Sequence, residues 1–116
     1  MLAATPDDER IAAFRLLRRI RDVAQAHGAR TMVVLMPDEL QLFTRRYDGI
    51  NERAAAFCRR QGIGLYDPLP AMRASPRRAD LYLDGVHLTE TGHRLVAGLL
   101  FDELVRHGLS ARPSAP

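Results

Sequence analysis

Thr31-Met-Val-Val-Leu-Met36 is an unbroken apolar run, closed by Pro37. So short a run fits a strand buried on both faces of a parallel sheet, since a strand with one wet face alternates polar and apolar residues. Pro37 has no N–H for a ladder and ends the strand. Upstream, Thr5-Pro6-Asp7-Asp8-Glu9 has the form of a helix start: a capping hydroxyl, Pro at the first helical position and acids in the first turn. Ile11, Phe14, Leu17, Ile20 and Ala24 then recur at helical spacing until Gly28 supplies a stop.

Downstream, residues 38–47 read as a helical turn or an excursion over the sheet. From Asp48 a second helix places Ile50, Ala54, Phe57 and Cys58 on one face and ends at Gly62. Ile63-Gly-Leu-Tyr66 is a second short strand, closed by Asp67-Pro68. Residues 70–75 form a short helix or turn, and residues 76–80 a polar loop. Thr89 is the N-cap of a last helix with an apolar stripe of Leu95, Val96, Leu99, Leu100, Leu104 and Val105, ended by Gly108. The order of elements predicts one α/β domain over residues 1–109, with parallel strands at about 31–36 and 63–66 and a disordered tail at 110–116. Two strands make a small sheet with unpaired edges.

At 116 residues the chain has room for a single modest core. Its net charge is +3, and every basic residue is Arg, because the sequence contains no Lys. The arginines are dispersed and lack interleaved aromatic residues, so no nucleic-acid partner is expected. The single cysteine, Cys58, cannot form an internal disulfide and falls on an apolar helix face, as a buried structural thiol does. The first residues have no basic region followed by an apolar run, so no signal peptide is read there. No stretch approaches the roughly 18 apolar residues of a membrane span. None of this selects a compartment.

The chemistry concentrates in Asp84-Gly-Val-His87-Leu-Thr89-Glu-Thr-Gly92-His93. A carboxylate three residues ahead of an imidazole can accept its Nδ1 proton and free Nε2 to act as a base. The plain alternative is a surface turn in which Asp84 and His87 merely cap the helix. Thr89 and Gly92 are structural under either reading, one as the cap and the other as a point of close backbone approach. A metal site built from Asp84, His87 and His93 is the weaker reading, because no cysteine or further clustered ligand supports it. No cofactor is called for. His27 and His107 sit in the last turns of their helices, where the dipole favours a cation. Asp38-Glu39 and Asp67 follow the two strands, at the end where α/β sheets place their sites, but each also fits an ordinary turn.

This block, with its Leu-Thr-x-x-Gly-His tail before the final helix, resembles the C-terminal block of the SGNH (GDSL-type) hydrolases. The resemblance implies that His87 is the general base and Asp84 its orienting acid in a Ser-His-Asp triad. It further implies a flavodoxin-like α/β/α sandwich and an acyl or O-acetyl ester substrate. The family's Gly-Asp-Ser nucleophile block and its glycine and asparagine oxyanion blocks are not visible here. The only serines are Ser75, Ser110 and Ser114, and the one asparagine, Asn51, lies in a helical pattern. The expectation is therefore the C-terminal part of such a hydrolase, inactive alone because its nucleophile lies elsewhere. A rival expectation is a non-catalytic flavodoxin-like module that dimerises through the exposed strand at residues 31–36.

Overall fold

The computed structural model describes residues 6–108, without the side chains of Pro6 and Glu9. Thr5, read above as a cap, and the tail at 110–116 lie outside the described residues. The elements are α1 (Pro6–Arg10), α2 (Ala12–Ala26), β1 (Met32–Val34), α3 (Glu39–Phe43), α4 (Asp48–Gln61), β2 (Gly64–Tyr66), α5 (Leu69–Ala74), a 3-10 turn (Arg78–Asp80) and α6 (Glu90–Arg106). The protein is thus of mixed α/β class, and its two strands pair in parallel with Met32 opposite Gly64 and Val34 opposite Tyr66. Among the described residues no helix is long and apolar enough to cross a membrane.

The chain divides into two compact units, Met1–Leu35 with Arg46–Asp67, and Met36–Arg45 with Pro68–Pro116. The first unit holds α1, α2, α4 and the strand pair. Its core is Phe14, Ala54, Phe57, Cys58 and Ile63, with Val33, Leu35 and Leu65 packed against it. Phe14 and Phe57 stack with ring centroids 4.5 Å apart. Burial raises the pKa of the Cys58 thiol, as a structural cysteine requires. Gly62 ends α4 in the left-handed region at φ 66°, the conformation that calls for glycine there.

Three expectations change in this unit. The first helix breaks at Ile11, whose backbone is extended. On one straight helix Asp8 and Phe14 would lie about 120° apart. The break turns both inward, Phe14 onto Phe57 and the buried Asp8 onto Arg60, whose Nη2 is 2.7 Å from each carboxylate oxygen. Second, Ile20 and Ile50 are exposed rather than in the core, at 56% and 71%. In α2 the inward position falls instead to Arg21, which is buried and donates to the Gln61 carbonyl. Third, the strands are shorter than the apolar runs and half-buried. The Leu35 N–H still reaches the Tyr66 carbonyl at 3.0 Å, so the pairing fades rather than stops at Val34.

The second unit packs α3, α5 and α6 around Leu42, Leu69, Met72, Leu81, Tyr82 and Val96. The segment at 38–47 is the helical turn of the two readings. Asp38 caps α3, accepting the Gln41 N–H at 3.1 Å, while the Gln41 side chain returns a bond to the Asp38 N–H at 3.3 Å. Thr89 caps α6 through the Gly92 N–H at 3.0 Å. Glu103, buried on α6, is paired with Arg106 at 2.6 Å and His107 at 2.9 Å.

Candidate functional site

The Asp84–His87 loop is tied at its base before any side chain acts. Tyr82 and Leu88 form an antiparallel bridge, and the Leu83 N–H donates to the His87 carbonyl at 2.7 Å. Below it, the Thr89 N–H bonds the Leu81 carbonyl at 2.9 Å, and the Thr89 hydroxyl donates to the Asp80 carbonyl at 2.5 Å. Gly92 fits because a Cβ there would stand 2.2 Å from the Leu81 carbonyl oxygen. The start of α6 therefore anchors the loop.

Within the loop, one Asp84 oxygen accepts the Val86 and His87 backbone N–H groups, each at 2.9 Å. The His87 ring Nδ1 lies 2.8 Å from the other oxygen and 3.0 Å from the first. The Val86 N–H, then the His87 ring, then the His87 N–H lower the Asp84 pKa to about 2. At neutral pH the carboxylate is ionised and can only accept, so Nδ1 must be the donor. That leaves Nε2 as the acceptor in the neutral ring. Both side chains are open to solvent, His87 at 73% and Asp84 at 59% exposure. An ion pair so exposed contributes little to stability. What the pairing sets is the ring's tautomer and direction.

The acidic segment after β1 comes to the same loop. The Glu39 N–H donates to the Gly85 carbonyl at 2.9 Å, and the buried Tyr82 hydroxyl donates to the Pro37 carbonyl. Burial, then the charges of Asp38 and Glu39, raise the Tyr82 pKa and keep that hydroxyl a donor. Leu83 and Val86 are exposed on either side of Asp84, at 75% and 70%, and give the loop an apolar rim. The sequence alone assigned Tyr82 no role. The one signal available was its place two residues before Asp84.

The other candidates go elsewhere. Asp67 accepts from Asn51 at 3.3 Å within the first unit. His27 Nδ1 meets the Val23 carbonyl at 2.9 Å, and His107 meets Glu103, so both serve helix ends. His93 is exposed on the first turn of α6. Among the described residues no three His, Cys, Asp or Glu side chains form a group able to hold a metal ion. Ser75 is the one serine among the described residues, and its hydroxyl accepts the Arg77 N–H at 3.1 Å beyond the end of α5.

Chemically, the loop offers an oriented imidazole base with an ionised partner and an open face at Nε2. It can take a proton from a hydroxyl or water presented there. The chain matches no protein-family model, no curated protein and no solved structure.

Proposed function

We propose that these residues are the C-terminal part of an SGNH-type ester hydrolase and supply the base and the orienting acid of its triad. The observation that carries this reading is the His87 Nδ1 contact to Asp84 at 2.8 Å, with Nε2 left to solvent. In the proposed reaction Nε2 takes the proton of a serine hydroxyl as that oxygen attacks the ester carbonyl, then returns it to the leaving alcohol. Asp84 holds the ring and stabilises the imidazolium. The serine and the oxyanion donors come from residues outside this sequence. The parallel strand pair joined through helices, with the loop leading into α6, is consistent with the last strands of a flavodoxin-like sandwich. The substrate is an acyl or O-acetyl ester, and the apolar rim of Leu83 and Val86 suits its acyl part.

The test is made on the native gene product, captured from its source with an antibody to this segment. It is expected to run well above the mass of the 116-residue chain and to hydrolyse 4-nitrophenyl acetate. His87→Ala is expected to lower kcat by about 10²- to 10⁴-fold. A product of this chain's own size without His87-dependent turnover would overturn the proposal. It would favour the non-catalytic module that pairs through β1.

A further inference from the structure

A groove of about 510 Å³ opens between α3 and α5. Its floor is apolar, with Leu42, Phe43, Pro70 and Ala74, and its rim carries Arg45, Arg73 and Arg78. None of its lining residues is acidic. On the rim, Arg73 donates to the Gln41 and Thr44 carbonyls at 2.7 and 3.0 Å. Arg78 reaches the Leu42 carbonyl at 3.5 Å and lies 5.0 Å over the Phe43 ring. The Leu42 carbonyl directs the Arg78 guanidinium without cancelling its charge, and forked donors of this kind match an oxyanion. The exposed ring of Phe43 adds a flat apolar surface beside them.

The groove also lies close to the loop. The N-terminal end of α3 is bonded to Gly85, and the groove is at the helix's other end, about 8 Å along its axis. We propose that this groove binds the oxyanion of an anionic ester substrate, a carboxylate or phosphate carried on an apolar body, while the ester lies at His87. The substrate assignment rests on the hydrolase reading; the binding of an anion to the groove does not. Arg45 and Arg78 are the specificity-determining residues, and neither takes part in the proton transfer.

The experiment has a binding arm and a kinetic arm. In the first, phenyl phosphate is titrated into the 116-residue chain and followed by amide resonances of residues 42–45. Saturable binding is expected, weakened about tenfold in Arg45→Gln and further in the Arg45→Gln/Arg78→Gln double variant. Phenol is expected not to bind. Arg45 is exposed, so its variant keeps the fold, which a thermal melt checks. No saturable binding, or equal binding by the double variant, overturns the inference even where His87-dependent hydrolysis stands. In the second arm the native product is given 4-nitrophenyl hemisuberate, whose chain is long enough to span from the loop to the groove, and 4-nitrophenyl octanoate. A higher kcat/KM for the anionic ester, with that preference lost in Arg45→Gln, supports the substrate assignment; equal values in wild type overturn it. Binding without any hydrolysis supports the groove as an anion site and removes only the hydrolase reading.

Discussion

Asp84 accepts two backbone N–H groups and one imidazole, and no single partner accounts for its acidity. Its pKa of about 2 lies below the ordinary 3.8, with the Val86 amide as the largest cause. The folded value is depressed, so the carboxylate's contribution to loop order is fully present above pH 3.8 and is lost as pH falls through about 2. A carbon-13 titration of the Asp84 carboxyl is expected to show its midpoint near pH 2. In His87→Ala the midpoint is expected to rise only part of the way, because the Val86 amide remains. A midpoint at 3.8 in the unaltered protein would mean that the loop is not held as described. At this scale His87 gains a fixed tautomer from a turn that the backbone largely makes by itself.

The helix that follows carries the loop, and its first turn is closely packed against Leu81. Gly92→Ala would bring a Cβ against the Leu81 carbonyl, the same carbonyl that holds the Thr89 N–H. Overpacking of this kind costs about 1–3 kcal/mol, more than the roughly 1 kcal/mol that Ala gains over Gly in an open helix. A lower urea midpoint is therefore expected, and an unchanged or higher one would contradict the contact. Thr89 and Gly92 were legible in the sequence because capping and close approach are local rules written in adjacent residues. So were the helix stops at Gly28, Gly62 and Gly108, all of which adopt positive φ. The direction of a helix face was not legible. α2 has apolar residues on opposite sides, Phe14 inward and Leu16, Ile20 and Val23 outward, and periodicity alone cannot say which side meets the core. The approach of Glu39 to Gly85 was equally hidden, since it depends on how distant segments pack. Asp38 read as a candidate at the strand end where α/β sheets place their sites, and its side chain is occupied in capping α3.

On the scale of the whole molecule, each unit has its own apolar core, and the candidate site falls in the second. That unit holds the Asp84–His87 loop, the segment from Pro37 to Glu39 that braces it, and the arginine-rimmed groove. The first unit holds the parallel strand pair, which made the α/β class readable from two apolar runs. The flavodoxin-like sandwich is a larger assembly than this pair, and it belongs with the proposed function because further strands would have to come from outside this sequence. Under the proposed function the nucleophile is likewise a serine from outside this sequence; Ser75, the one serine among the described residues, has its hydroxyl engaged beyond the end of α5. The most direct test is to treat the native product with a fluorophosphonate probe and map the modified residue by mass spectrometry. Modification of a serine outside these 116 residues, abolished by His87→Ala, is the expected result. No labelling, or labelling of Ser75, would contradict the assignment of Asp84 and His87 to a serine hydrolase triad.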